Sequence, residues 1–260
     1  MRLSLFVKGV PVSGTKSLEN LVFSLGEVFD ALGTYAIFAN SIDQMRLTAA
    51  RTLADIKPED SKYTENLREL ESQKVGAAQK ELQRHSKFNN RMMYQIAYNA
   101  FQTYISSLIK QIYSVKREML NSKDKVSYKE IVTFSRMNDL INYLIDKRIN
   151  DLTFQSVSEL NLDFHDKYGF KFFETTLQIA TISKIAQQRN LLVHNSGIVN
   201  HGYIERTSDR KAKLGENVPL RNASTLIIYL LRVAVKIDER ARKKFGLKAA
   251  RFKNRGISNV

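Results

Sequence analysis

The chain has 260 residues, of which 43% are hydrophobic, and this length supports one large domain or two small ones around a substantial core. It contains no cysteine, which excludes disulfides and thiolate metal sites, and its four histidines show no ligand spacing, so we expect no metal site and no cofactor. A formal net charge of +15 favours polyanionic partners, because phosphate contacts release counterions.

Two features of the composition indicate a helical protein outside the membrane. Only 3 prolines and 11 glycines occur, while Leu, Ile, Ala, Lys, Glu and Gln recur, which favours long helices over many tight turns. The apolar run at the N-terminus is too short for a signal peptide, and "TLIIYLLRVAV" is interrupted by Arg232 before it could span a bilayer. We therefore predict an all-α protein with a cytoplasmic location and no membrane contact.

The first part of the chain predicts a long helical hairpin. Thr15 or Ser17 can cap a helix whose apolar residues follow the helical period until Pro58 ends it. Residues 58–85 form a second helical pattern with far fewer large apolar residues, which indicates an exposed helix. We interpret residues 1–86 as an N-terminal helical hairpin extension.

Residues 87–245 predict an antiparallel helical bundle, and residues 246–260 a basic C-terminal tail. The predicted segments are an aromatic-rich helix over 89–120, a turn at 121–125, a helix over 127–149, an irregular region over 150–170, an apolar helix over 171–194, an exposed polar loop over 199–219, and a last helix from about 220 to 245. The apolar helix has a marked end, because Asn195, Ser196 and Gly197 tolerate left-handed backbone.

The positive charge is concentrated at the C-terminus, where eight basic residues and no acidic residue follow position 239. The eight are Arg240, Arg242, Lys243, Lys244, Lys248, Arg251, Lys253 and Arg255. Such a segment is either a solvated, partly disordered tail or a surface that contacts nucleic acid.

The most informative stretch is "QQRNLLVHNSGIVN", at the end of the predicted apolar helix. Arg189 and His194 lie about 140° apart on an ideal helix, whereas Asn190 and His194 are one turn apart on the same face. A histidine can transfer protons, and a nearby arginine can neutralise and orient a phosphate. The pattern suits acid-base chemistry on a phosphodiester; the alternative is a helix-capping histidine beside an arginine in a surface ion pair.

This stretch resembles the signature of HEPN domains, which are all-α helical bundles with an arginine, a polar residue and a histidine at this spacing. The resemblance covers roughly residues 90–245. It implies a metal-independent endoribonuclease whose two protomers form one composite cleft from two arginines and two histidines. By this resemblance His194 moves protons, Arg189 holds the phosphate and Asn190 orients neighbouring groups, and the products are a 2′,3′-cyclic phosphate and a 5′-hydroxyl.

The resemblance also implies partners and a biological role. We expect RNA as the substrate, a homodimer, a role as a toxin or anti-phage defence effector, and an antitoxin or regulatory protein as a further partner. The predicted substrate-binding residues lie beside the motif and in the loop that follows it: Asn195, Tyr203, Arg206, Arg210, Lys211 and Lys213. Tyr203 is the aromatic residue best placed to stack on a base, because those before the motif helix are expected in the core.

One departure from the family's pattern leaves a second interpretation open. Many active members have an acidic residue on an earlier helix that faces the motif, whereas the corresponding stretch here offers Gln102, Thr103 and Tyr104. The alternative is a non-catalytic helical protein that binds RNA or serves as an adaptor. DNA binding is a third option, because charge alone does not distinguish the two polymers.

Overall fold

The computed structural model of this chain describes residues 10–120, 127–153 and 155–253. Within these ranges the chain forms ten helices and one two-stranded sheet, which confirms the predicted all-α fold. The helices are α1 (Lys16–Ile56), α2 (Ser61–Ser72), α3 (Ala77–Arg84), α4 (Ser86–Val115), α5 (Tyr128–Ile131), α6 (Met137–Thr153), α7 (Val157–Tyr168), α8 (Thr176–His194), α9 (His201–Thr207) and α10 (Ala223–Phe245). Strands β1 (Ser13–Gly14) and β2 (Ala250–Arg251) pair antiparallel. The turn predicted at 121–125 lies outside the described residues.

Helices α4 and α10 form the centre of the bundle, and three other helices pack around them. The first part of α1 lies on both, while α6 and α8 pack on α4. Their apolar stripes meet in one core that includes Leu25, Leu108 and Leu230, each fully buried. Burying such a side chain stabilises the fold by about 1.5–3 kcal/mol. The bundle therefore fixes α8, the helix that carries the arginine and histidine, along one side of α4.

The boundary predicted near residue 86 does not separate two cores. Leu18 and Leu21 of α1 belong to the same core as residues of α4 and α10. Helix α4 also follows α3 directly, with only His85 between their ends. What extends beyond the bundle is the rest of α1 with α2 and α3. There α1 buries only three small residues, Ala39, Ala50 and Ala54, and no residue of the fully described α2 and α3 is buried.

The second helix predicted over 58–85 is divided into α2 and α3. Asp43 of α1 accepts the backbone N–H groups of Ala78 (2.9 Å) and Gln79 (3.0 Å), and so caps the start of α3. Gly76 lies against the same carboxylate, and a β-carbon there would be 2.1 Å from the Asp43 carboxyl carbon. The break therefore depends on a carboxylate of a neighbouring helix, which no local pattern shows.

Two predicted segments between α4 and α8 also differ. The helix predicted over 127–149 is two helices, α5 and α6; Ser127, where that helix was predicted to begin, caps α5 in a capping box with Glu130. The Glu130 carboxylate also accepts hydrogen bonds from two side chains of α6, which folds the short helix back onto the longer one. The segment 150–170, predicted as irregular, contains α7, which begins with a second capping box and ends at Gly169 in the left-handed region.

Among the described residues, α1 is the one helix that is long and apolar enough to cross a bilayer by length and composition alone. Core helices of soluble proteins pass the same test, and the first part of α1 is packed in the core of the bundle. The most apolar stretch of α1 is 17% buried, so most of it is exposed in this chain. The absence of membrane contact therefore stays a prediction.

The C-terminal segment is folded over its described part, residues 246–253, which corrects the prediction of a basic tail beginning at 246. Leu247 is buried, and β2 pairs with β1. The N–H of Phe252 donates to the carbonyl of Val12 (2.8 Å), which continues this pairing. The remainder of the predicted tail, residues 254–260, lies outside the described residues.

Asp238 of α10 fixes the start of α1. Its carboxylate is fully buried and accepts the hydroxyl and the backbone N–H of Thr15, the N–H at 3.3 Å. Arg242 Nε lies 3.0 Å from the same carboxylate. Thr15 in turn caps α1, as predicted, by accepting the N–H of Leu18 (3.2 Å). Burial raises the pKa of Asp238, although its polar partners favour the charged form.

Replacing Asp238 by alanine should lower the free energy of unfolding by about 2–4 kcal/mol, because the Thr15 donors and Arg242 lose their acceptor. Urea denaturation followed by circular dichroism measures this loss. The exposed neighbour Glu239 provides a matched control, and Glu239→Ala should change the free energy by less than about 0.5 kcal/mol. Equal losses in the two variants would contradict the anchoring role of Asp238.

Candidate functional site

Helix α8 ends as the sequence predicts, in a left-handed turn. The N–H groups of Asn195 (2.9 Å) and Gly197 (2.8 Å) both donate to the carbonyl of Leu191. Ser196 has a φ of 52° and Gly197 a φ of 78°, in the region that favours glycine. The chain therefore reverses directly after His194, and α9 packs against α8.

An open cleft of about 400 Å³ lies between the end of α8 and α9. We name it the site cleft; its lining includes Asn190, His194, Asn195, Asn200, Tyr203 and Arg206. Five of these residues are ones that the sequence predicts, and Asn200 is an addition. Asn200 caps α9, because its side chain accepts the N–H of Tyr203 (2.9 Å). The local signal for it is an asparagine that can cap a helix, which the prediction of an exposed loop over 199–219 leaves unused.

His194 presents its imidazole to solvent in the site cleft. The side chain is exposed, and within the described residues it makes no hydrogen bond and no ion pair. The capping role considered as an alternative for His194 is not seen, because backbone N–H groups close the end of α8 instead. The imidazole is therefore free to contact a ligand.

Arg189 lies on the other edge of α8 and does not line the site cleft. Its Nε donates to Oδ1 of Asn99 in α4 (2.9 Å), and its Nη1 donates to Oδ1 of Asn190 (3.2 Å). The angular separation predicted for Arg189 and His194 therefore persists at this helix end. In one chain the guanidinium faces α4, and the imidazole faces α9.

The residue of α4 that faces the motif is Asn99, which no sequence pattern singled out. Among the described residues, Arg189 forms no hydrogen bond with Gln102, Thr103 or Tyr104. Tyr104 is instead buried and donates its hydroxyl to a backbone carbonyl of α10 (3.0 Å). Asn99 lies one helical turn before Thr103, so the residue that contacts Arg189 is not one of the three that the sequence singled out. Which residue of α4 contacts Arg189 depends on how α4 is offset against α8.

The segment 199–219, predicted as an exposed loop, contains α9 and several buried positions. Tyr203 is 2% exposed, so its ring is not available to stack on a base. Its hydroxyl donates to Oδ2 of Asp209 (2.9 Å), and burial together with this carboxylate raises the pKa of Tyr203. The prediction of a stacking role for Tyr203 is therefore wrong in this structure. Because its neighbours in the sequence are polar, the segment was predicted to be exposed, although Tyr203 is buried in the wall of the site cleft.

The four cations predicted to guide the RNA backbone do not lie together. Arg206 lines the site cleft. Arg210 and Lys211 line a separate cleft of about 550 Å³ at the C-terminal end of α9. Lys213 is exposed and forms an ion pair with Glu216 (3.7 Å). The structure thus brings one cation of this set to His194 and places the other three elsewhere.

A buried glutamine holds the motif helix between its neighbours. Gln188, which precedes Arg189, is 3% exposed. Its side-chain amide donates to the carbonyl of Pro219 (2.8 Å) and accepts the hydroxyl of Tyr94 from α4. Both bonds lie on the side of α8 opposite to the exposed face, so they fix its rotation without occupying the site cleft.

Asp209 ties α9 to α8 in the same way. Its carboxylate accepts the Lys184 ammonium (2.8 Å), the Tyr203 hydroxyl (2.9 Å) and the N–H of Lys211 (3.2 Å). Burial opposes ionisation of Asp209, but these donors outweigh it and lower the pKa of the carboxyl below its usual value. The folded state therefore contains the charged carboxylate.

The site cleft combines a group that can move a proton with groups that can hold an anion. The exposed His194 lines the site cleft together with Asn190, Asn195 and Arg206. Such a set can bind a phosphate and exchange protons with its substituents. In the part of the chain that the structure describes, no cluster of three or more acidic or histidine side chains is placed to hold a metal ion. Comparison with known protein families, curated proteins and solved structures finds no match for this chain.

Asp209→Asn should loosen α9, with a loss of local stability of about 1–3 kcal/mol. Because the pKa of Asp209 is lowered in the folded state, its contribution is present above the unfolded-state pKa and is lost as the pH falls through the folded value. Hydrogen exchange of the α9 amides, corrected for intrinsic rates, should show protection that declines toward acid pH in the wild type and is low throughout in the variant. Glu205→Gln, at an exposed position of the same helix, should leave the protection unchanged.

Proposed function

We propose that this chain is an endoribonuclease of the HEPN type, which cleaves RNA without a metal ion and acts as a homodimer. The observation that carries the proposal is the site cleft, where an exposed His194 lies beside Asn190 and Arg206 at the end of α8. The all-α bundle and the net charge of +15 support it, because HEPN domains are helical and RNA is a polyanion.

The protein needs to supply only proton transfer and charge stabilisation, because RNA carries its own nucleophile in the 2′-hydroxyl. His194 accepts the proton of that hydroxyl or donates a proton to the leaving 5′-oxygen. Arg206, together with Arg189 of a second copy, neutralises the charge that develops on the phosphorane, and the Asn190 amide donates a hydrogen bond to a non-bridging oxygen. As the 2′-oxygen bonds to phosphorus, the bond to the 5′-oxygen breaks, which leaves a 2′,3′-cyclic phosphate and a 5′-hydroxyl.

The proposal includes a second copy because Arg189 and His194 of one chain lie on different edges of α8. The strip between these edges is exposed, and Val193 on it is 45% exposed. On the adjoining face of α4, Met92 and Ile96 are 42% and 44% exposed. Apolar side chains beside an open helix face suit a self-complementary interface in which two motif helices pack together.

The proposed biological role is that of a toxin or anti-phage defence effector in the cytoplasm. It follows from the HEPN resemblance, as does an antitoxin or other regulatory protein as a partner. An unrestrained endoribonuclease damages the cell that makes it, so such a partner suits the proposed activity.

A non-catalytic protein that binds RNA or serves as an adaptor is the second candidate, and one observation favours it. The α4 residue that faces Arg189 is Asn99, whose side-chain oxygen accepts Arg189 Nε at 2.9 Å. Many active HEPN members instead have a carboxylate on an earlier helix that faces the motif. An amide neither carries charge nor exchanges protons as a carboxyl group does. This candidate predicts salt-sensitive RNA binding without cleavage.

The purified protein should cleave RNA in excess EDTA, and His194→Ala should slow cleavage about 10²–10⁴-fold, because the variant loses its general acid-base group. Its melting temperature should stay unchanged, since the imidazole makes no hydrogen bond within the described residues. His201→Ala is the matched control: His201 is also exposed, at the start of α9, but does not line the site cleft. It should retain full activity.

Two results of this experiment would count against the proposal. Undiminished cleavage by His194→Ala would remove the site cleft from the reaction. Wild-type protein that binds RNA and leaves it uncut would favour the non-catalytic candidate.

Arg189→Ala and His194→Ala should each be inactive alone and should complement each other when the two chains are co-expressed. Each mixed dimer then holds one complete arginine and histidine pair out of two, so about half of the wild-type rate should return. Cleavage of a labelled RNA by the doubly tag-purified mixed dimer measures this. If each chain built its site alone, the mixed dimer would stay inactive.

A further inference from the structure

A group of cations whose side chains form no ion pair among the described residues lies near the C-terminus. We name it the C-terminal basic surface; it consists of Lys243, Lys244, Lys248, Arg251 and Lys253. All five side chains are exposed, and none forms an ion pair within the described residues. Arg240 and Arg242, which precede them, are instead paired with Glu174 (3.0 Å) and Asp238 (3.0 Å). Five positive charges within eleven residues of the sequence are therefore left without an ion-pair partner in the described part of the chain.

The C-terminal basic surface has a fixed position because the chain folds back onto the bundle there. Strand β2 pairs with β1, and the N–H of Lys253 donates to the carboxylate of Glu19 in α1 (2.8 Å). Phe245 and Leu247, between the basic residues, are buried. Truncation after position 239 would therefore remove part of the core, and neutralising exposed lysines is the cleaner perturbation.

This surface and the site cleft lie at opposite ends of α8. Arg240 donates to the carbonyl of Phe172 (2.8 Å), and the ring of Phe245 packs on that of Phe170 at 5.2 Å between centroids. Phe170 and Phe172 lie directly before α8, whereas His194 is its last residue. A helix of 19 residues is about 28 Å long, so this length separates the two sites.

We propose that the C-terminal basic surface binds the phosphate backbone of RNA at a fixed distance from the site cleft, as a second contact for a long strand. At about 3.4 Å per stacked nucleotide, the separation corresponds to roughly eight nucleotides. That the bound strand is also cleaved in the site cleft rests on the proposed function, whereas phosphate binding at this surface does not. Clustered cations gain affinity for phosphate by releasing counterions, and the large apolar residues between them face the core and not a bilayer.

The experiment compares RNA binding by three forms of the full chain in the His194→Ala background, so that no substrate is consumed. The first carries no further change, and the second carries Lys243→Gln, Lys244→Gln and Lys248→Gln. The third is a charge-matched control with Lys62→Gln, Lys74→Gln and Lys80→Gln, at exposed positions on and beside α2 and α3. Fluorescence anisotropy with single-stranded RNA of about four and about sixteen nucleotides, at several salt concentrations, measures affinity and salt dependence.

The longer RNA should bind the surface variant at least about tenfold more weakly, with a salt slope smaller by about two, because three phosphate contacts are lost. The shorter RNA, which cannot span the two sites, should lose less affinity in the surface variant than the longer RNA does, because the site cleft stays available to it, and the control should bind both RNAs as the unchanged form does. Thermal melting should show that the variants remain folded. Equal losses in the surface variant and in the control would show a general charge effect and overturn the proposal.

Two further measurements separate this inference from its alternatives. If the surface variant loses affinity for phosphatidylserine vesicles while its affinity for the longer RNA is unchanged, the partner is a membrane and the RNA proposal fails. If the wild-type chain does not cleave RNA but the surface variant still loses affinity for the longer strand, the proposed nuclease activity fails and the proposed binding surface stands.

Discussion

Helix α8 can bury only one of its sides, and this constraint decides how the candidate site is built. Gln188, Leu191 and Leu192 face the interior, so Arg189 falls on the edge next to α4 and His194 on the edge next to α9. The two side chains leave α8 about 140° apart, and His194 lines the site cleft, whereas Arg189 reaches only the Asn190 amide at its edge. The proposed reaction, which needs both groups on one phosphate, therefore takes the arginine from a second copy. The proposed chemistry and the proposed dimer are therefore one hypothesis and not two.

Buried polar groups enforce that constraint together with apolar packing. Gln188 joins α8 to α4 and to the segment before α10, and Asp209 joins it to α9. Rotating α8 would leave at least one of these buried groups without a partner, at a cost of about 1–3 kcal/mol each. The direction of the exposed His194 is thus set by contacts on the opposite side of its helix. An open cleft with a rigid wall is preorganised, which is what general acid-base chemistry requires of a histidine.

Helix ends could be predicted from the sequence, because a cap depends on residues within about four positions of it. The caps at Thr15 and Ser127 and the left-handed turn after α8 are found where local patterns indicated them. Contacts between distant segments could not be predicted in this way. Asp43 interrupts the N-terminal hairpin from another helix, and Asn99 faces the motif through a helix offset that no period encodes. The burial of Tyr203 is not visible in the local sequence for a related reason, since a polar segment can still bury one side.

Composition shows how much positive charge the chain carries, and the fold decides where that charge lies. A net charge of +15 indicates a polyanionic partner but does not say where it binds. Folding brings Arg206 to His194 and carries the cations of residues 243–253 to the other end of α8. If the proposed partner is RNA, a short strand contacts one of the two surfaces in this arrangement, and a long strand contacts both. Because the spacing is the length of a helix packed into the bundle, selection by strand length would arise from the bundle's geometry and not from any base-specific contact in the site cleft.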